Sequence, residues 1–128
     1  MVEYRRAKTK DNDFIFSLVK EWLHDYPEQT VTVSKISKKK FFSKPAIHYI
    51  IGDNFGFVQL LPNNEIGYYL DPKFQNKGLG TKAVKEIIKK HPRPFYYVTI
   101  SNKNKSSLKL AKKCGFVPKG QILVLESK

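Results

Sequence analysis

Residues 65–81 read Glu65-Ile66-Gly67-Tyr68-Tyr69-Leu70-Asp71-Pro72-Lys73-Phe74-Gln75-Asn76-Lys77-Gly78-Leu79-Gly80-Thr81. The run Glu65–Leu70 is apolar and aromatic and predicts a strand, which Pro72 stops. Gly78 then opens a helix over 79–90. Its apolar stripe is Leu79, Ala83, Val84, Ile87 and Ile88, with Lys82, Lys85, Lys89 and Lys90 on the wet side. A strand, a loop, two glycines and a helix start make a seat for an anion. Gly78 and Gly80 carry no Cβ, so backbone can approach a ligand closely, and the first amides of the helix are free to point at phosphate oxygens. The helix dipole adds about 0.3–1 kcal/mol for a nearby anion. Lys77 sits beside the loop with the right sign.

Two familiar nucleotide sites compete for this stretch. A phosphate-binding P-loop is excluded, because no Gly-Lys is followed by Ser or Thr. Gly78–Ala83 does fit the looser dinucleotide fingerprint of two glycines and a small residue. That fingerprint belongs in the tight turn directly after its strand, whereas Asp71–Lys77 intervenes here. It also expects an acid about 20 residues further on, and none lies between Glu86 and Glu126. A chain of 128 residues is short for a two-half dinucleotide domain.

A second motif lies downstream. Asn104-Lys105-Ser106-Ser107-Leu108-Lys109-Leu110-Ala111-Lys112-Lys113-Cys114-Gly115-Phe116 reads as a short helix that starts at an Asn and ends in Gly-Phe. Together the two segments resemble the cofactor-binding core of the GCN5-related N-acetyltransferases, with its strand, its Gln/Arg-x-x-Gly-x-Gly/Ala loop and its Asn-led helix, in the same order. The resemblance covers residues 65–116. It implies that Asn76, Lys77, Gly78, Leu79, Gly80 and Thr81 cradle the pyrophosphate of acetyl-CoA. It implies that the edge of Tyr68, Tyr69 and Leu70 bonds the pantetheine arm like an added strand, and that Asn104 contacts the same arm.

The rest of the chain agrees with that fold. Val2–Ala7 is a short opening strand, and Asp11–Asp13 caps a helix with Phe14, Ile15, Leu18, Val19, Trp22, Leu23 and Tyr26 at helical spacing, closed by Pro27. Ser34–Ser43 predicts a second, lysine-rich helix. Ala46–Ile51 and Phe55–Leu61 form a hairpin about Gly52-Asp53-Asn54, and Pro62-Asn63-Asn64 is the next turn. Phe95–Ile100, Gly115–Val117 and Ile122–Leu125 predict three more strands. The expected architecture is a single α/β domain over 1–128, with a mixed, mostly antiparallel central sheet flanked by about four helices.

Charge is unevenly placed. Residues 1–71 hold ten Lys/Arg against nine Asp/Glu, whereas residues 72–128 hold fourteen against two, out of a net charge of +13. A one-sided positive field favours a polyanionic partner, and CoA phosphates meet that description. If the basic half reaches the acceptor site, an anionic or acid-flanked acceptor is favoured over a polyamine. A non-catalytic, basic nucleic-acid-binding module is a competing class, disfavoured by the lack of an aromatic-plus-basic RNA motif. A CoA-binding sensor on the same fold is another. The single cysteine, Cys114, excludes an internal disulfide and reads as a small core residue, and His24, His48 and His91 have no metal spacing. Met1 to Phe14 is polar and no apolar run approaches a membrane span, so a cytoplasmic protein, monomer or homodimer, is expected.

Acetyl transfer to an amine sets a proton problem. A lysine-like amine at pH 7 costs about 4–5 kcal/mol to deprotonate, and a general base lowers that cost. Glu65 is the first candidate base, by its likeness to family members with an acid near this strand's start. Backbone amides near Tyr69–Leu70 are candidates for stabilising the oxyanion. The family's acid, a tyrosine seven residues after the Asn, corresponds here to Ala111, so either Tyr69 is the candidate acid or the reaction has no dedicated acid. The strand acid of the ribosomal-protein branch corresponds to Thr99, which argues against that branch. The acceptor amine itself, small molecule or protein, is not readable.

Overall fold

The structure, a computed structural model, describes residues 2–27, 37–43 and 45–125. Four strands form one sheet in the order of the chain: β1 (Tyr4–Arg6), β2 (Ile47–Ile51), β3 (Gly56–Leu60) and β4 (Ile66–Leu70), each antiparallel to the next. Four α-helices accompany them: α1 (Asn12–Asp25), α2 (Lys38–Phe41), α3 (Leu79–Lys90) and α4 (Lys105–Lys113). The expected α/β sheet with about four helices is therefore found. Residues 34–36 of the expected second helix lie outside the described residues.

The two sheet faces carry separate cores. On one, Ile50, Phe57 and Tyr69 pack against Ile15, Leu18, Val19 and Leu23 of α1. On the other, Ile51, Val58, Leu60 and Ile66 pack against Ala83, Val84 and Ile87 of α3. Residues adjacent in sequence point to opposite faces, so β3, covered on both, is buried along its whole length. Gly52 and Asn54 turn the β2–β3 hairpin with φ of +56° and +58°. Among the described residues no helix is long and apolar enough to cross a membrane.

Three expected strands are not formed. Of Phe95–Ile100, only Tyr97 pairs, in a single parallel bridge to Glu65. Residues 98–100 leave β4 beyond that point and line a small cavity beside it. Gly115–Val117 and Ile122–Leu125 join no ladder among the described residues. Val117, Ile122, Leu123, Val124 and Leu125 are exposed. An apolar run of strand length supplies no partner of its own, and pairing needs a neighbouring edge.

The start of α1 is tied to β1 by charge rather than by a cap. Asp11, expected as N-cap chemistry, makes no side-chain cap bond to the helix. Its carboxylate accepts both forks of Arg5, at 2.9 and 2.8 Å, and the Lys8 amide at 2.8 Å. The Arg5 hydrogen bond, aided by the Lys8 amide, holds this buried carboxyl down at about 2. A depressed carboxyl stabilises the fold above its unfolded value and loses that effect as pH falls toward the folded one. Asp11→Asn is expected to lower stability by roughly 1–2 kcal/mol at pH 7. Urea unfolding between pH 7 and pH 2 checks it: the gap between native and variant closes as pH drops from about 4 toward 2.

Candidate active site

Strand β4 is paired on one edge only. Ile66 donates its amide outward to the Tyr97 carbonyl at 2.9 Å. By the two-residue period, Tyr68 and Leu70 turn their backbone groups to the same outward edge. Among the described residues no strand meets them there. The Leu70 carbonyl accepts instead from Gln75 Nε2 at 3.1 Å. The amides of Tyr68 and Leu70 and the Tyr68 carbonyl remain as a short open ladder.

A cleft of about 290 Å3 runs along this edge. Of the residues singled out from sequence, Tyr68, Tyr69, Leu70, Asn76, Gly78, Gly80, Thr81 and Asn104 line it. Lys77 lies exposed beside it, and Leu79 packs into the core under α3. Glu65 is not in this cleft. It lines an adjoining chamber of about 40 Å3, whose walls share Trp22, Tyr68, Tyr69, Asn104 and Ser107 with the cleft.

The loop from β4 to α3 is held at several points. Asp71 accepts from the Lys73 amide at 3.2 Å and caps a short 3-10 turn over Pro72–Phe74. Phe74 stacks on Phe55 with ring centroids 4.2 Å apart. Ser106 of α4 donates to Asn76 Oδ1 at 3.3 Å. Asn76 and Gly78 take left-handed backbone, with φ of +62° and +78°. No side chain caps α3, so its first amides stay available to a ligand.

The two glycines do different jobs. At Gly78 an added Cβ meets nothing within 4 Å; its left-handed φ is what calls for glycine. At Gly80 an added Cβ would lie 2.4 Å from Leu110 Cδ1 and 3.2 Å from Leu70 Cδ1. Gly80 therefore lets α3 pack against α4 and β4, a packing role that the sequence reading did not include.

On the α1 face of β4, Glu65, Gly67 and Tyr69 follow one another at the strand period. Glu65 Oε2 accepts from Thr99 Oγ1 at 2.8 Å. Burial pushes the Glu65 carboxyl above its ordinary range, and hydrogen bonds from Thr99 and Tyr97 pull back without cancelling it. Tyr69 is buried, stacked on Phe57 at 4.6 Å and edge-on to Trp22 at 5.2 Å. Its hydroxyl has no hydrogen-bond partner among the described residues. Burial, with the nearby Glu65 charge, drives the phenol far above its ordinary value, so it stays protonated.

The other tyrosine is committed elsewhere. Tyr68 donates to the Ser107 carbonyl at 2.9 Å and accepts from Ser107 Oγ at 2.9 Å, and burial pushes its phenol up to about 12. Asn104 Oδ1 accepts from the Ser107 amide at 3.1 Å and caps α4, so its NH2 is the remaining donor toward the cleft. Ala111 is buried and brings no hydroxyl. Cys114 packs against Thr81, 3.8 Å from its carbonyl, with a thiol pushed up by burial and no histidine partner. His48 pairs with Gln59 at 3.0 Å and His91 with Tyr49 at 3.0 Å. Among the described residues no three His, Cys, Asp or Glu come together as a metal site.

Sequence reasoning missed the opposite wall. Leu18, Glu21, Trp22 and Asp25 of α1, with Tyr26 just after it, line the cleft. The apolar members were read only as core, because helical spacing cannot say where a core surface opens. The signal was available in Glu21 and Asp25, four apart and flanking an aromatic. The basic residues of the cleft, Lys109 and Lys113, stand on α4 across from these acids.

The family model for "Acetyltransferase (GNAT) family" matches residues 12–116. The chain belongs to that family. Its fold is shared by a mutant of the BH1408 protein from Bacillus halodurans, 13% identical, with a TM-score of 0.73 over 98% of this chain and 99% of that one. It is shared by AAC(6')-Iy in complex with a CoA bisubstrate analogue, 12% identical, with a TM-score of 0.72 over 100% and 99%. It is shared also by a spermidine N-acetyltransferase SpeG chimera from Vibrio cholerae and hSSAT, 20% identical, with a TM-score of 0.65 over 93% and 82%. No curated protein sequence matches.

The residues present fit acetyl-CoA: an open strand edge for an amide-bearing arm, uncapped amides for phosphate, and lysines on the same wall. Gly80→Val is expected to lower thermal stability by about 1–3 kcal/mol through overpacking, and Leu110→Ala in that background to restore part of it. Gly78→Ala is expected to cost about 1–2 kcal/mol by backbone strain alone, with no rescue by Leu110→Ala. Calorimetric unfolding of the four variants checks both.

Proposed function

We propose that this protein transfers an acetyl group from acetyl-CoA directly to an amine, with Glu65 as general base and Tyr69 as general acid. The observation that carries the reading is the pairing of these two groups on one face of β4. One is a carboxyl lifted by burial, the other a protonated phenol with no hydrogen-bond partner, and both border the open edge of the strand. Relatives of the same fold support an amine acceptor, since their names describe aminoglycoside, spermidine and ribosomal-protein acetyltransferases.

In this reading the amides of Asn76, Lys77, Gly78, Leu79, Gly80 and Thr81 receive the pyrophosphate, aided by the α3 dipole. The edge of Tyr68–Leu70 and the Asn104 amide hold the pantetheine arm. When bound, acetyl-CoA supplies the thioester carbon that the amine attacks and the sulfur that leaves. Glu65 takes a proton from the incoming ammonium, exposing the nitrogen lone pair. Tyr69 gives its proton to the departing sulfur and regains one from the nitrogen as the amide forms. The second proton of the ammonium is thus accounted for, and the one on Glu65 passes to solvent. A base lifted toward neutral pH is better matched to its task than an ordinary carboxylate.

Glu65→Gln is expected to reduce kcat/KM by about 100-fold or more. In the native protein, activity rises with pH through the raised Glu65 value; the variant lacks that limb. Tyr69→Phe is expected to lower kcat and leave acetyl-CoA affinity in place. Thiol release under steady-state turnover, with calorimetric titration of acetyl-CoA, measures all three. A protein that binds acetyl-CoA but acetylates no amine would be a CoA sensor instead.

A further inference from the structure

We infer that the acceptor is a small, linear, multi-amine cation of the polyamine class, seated along α1 with one amine at Glu65 and a second ammonium at Glu21 and Asp25. This rests on the acetyl-transfer reading above and names its substrate class. Three observations carry it.

The first is the division of charge across the cleft. Its α4 wall presents Lys109 and Lys113, and the uncapped start of α3 adds positive potential on the same side. Its α1 wall presents Glu21 and Asp25, one helical turn apart and so on one face. A cation is attracted to the α1 wall and repelled from the other. Among the described residues Asp25 has one competing ion-pair neighbour, the exposed His24 at 3.5 Å.

The second is what lies between the acids and the base. Trp22 borders both the cleft and the Glu65 chamber, and its ring meets Tyr69 edge-on. The path from Glu21 to Glu65 is thus aromatic and apolar in the middle and anionic at both ends. An alkyl chain with an ammonium at each end has the complementary pattern, and an indole face also favours a cation.

The third is size and an unmet bond. The Glu65 chamber is small, about 40 Å3 against about 290 Å3 for the cleft, which suits an amine on a thin alkyl stem better than a sugar ring. Tyr69 is nine-tenths buried and lines both cavities, and its hydroxyl has no partner among the described residues. An arriving amine at that position supplies one.

The test is an acceptor panel read by thiol release: spermidine and putrescine, glucosamine, and a peptide amine flanked by acidic residues. It is joined by direct titration of spermidine into the CoA-bound protein. Spermidine or putrescine is expected to lead. Glu21→Lys with Asp25→Lys is expected to raise the KM for spermidine, and to weaken its measured binding, by 10-fold or more. The milder Glu21→Gln with Asp25→Asn should give an intermediate shift, and acetyl-CoA affinity should hold. Glucosamine or the acidic peptide outperforming both polyamines overturns the inference. So does spermidine binding that neither double variant alters, or no binding by the native protein. Failure to bind acetyl-CoA overturns the acetyl-transfer reading instead, and spermidine titration into the protein alone then judges the α1 seat separately.

Discussion

Backbone hydrogen bonding along β4 is spent on one side and withheld on the other. Toward β3 the strand is fully paired. Away from it, one bridge at Tyr97 is made before the chain departs. A β-strand tolerates such an open edge poorly, because unpaired amides and carbonyls seek partners. Here the loss is confined to a few groups and sheltered by α1 on one face and α4 on the other. The cleft, its lining and the position of Glu65 all follow from that departure. Had residues 98–100 continued alongside Tyr68 and Leu70, the sheet would have closed and the cavity would be filled.

How far this was legible depends on the range of the interaction. The β4–loop–α3 unit is local: Pro72, the two glycines and the helix stripe each act within a few residues, and all lie where the pattern puts them. The α1 helix was equally plain. The residues that the family resemblance assigns to the cofactor are mostly gathered around one cleft. What failed were the strands that need a distant partner. Phe95–Ile100 has the apolar character of a strand, yet whether it pairs is decided by β4, some thirty residues earlier. The packing role of Gly80 was missed for a related reason. Its neighbour Leu110 is remote in sequence, and nothing near Gly80 announces it.

The α1 wall shows a further limit. Trp22 is a core residue by spacing and a cleft residue by position, since one large ring can pack against Tyr69 and still border open space. Net charge is a coarse guide in the same way. The basic half of the chain gathers on α3 and α4, yet two acids of the other half, Glu21 and Asp25, line the cleft with Lys109 and Lys113. A potential inside a cleft is set by the nearest groups in a poorly screened space, and whole-chain charge speaks to encounter more than to fit.

The stacked pair Phe55–Phe74 joins the turn of the β2–β3 hairpin to the loop that enters α3. With Gln75 bonded back to Leu70 and Asn76 to Ser106, that loop is ordered before any ligand arrives. For the phosphate-cradle role proposed above, the conformational entropy of shaping the loop is then met during folding, not at binding. Most of the interaction energy remains available as affinity. The same contacts set the spacing between this loop and Glu65. In the proposed reading the pantetheine arm then works as a ruler: its length, measured from a held end, determines where the acetyl group stops.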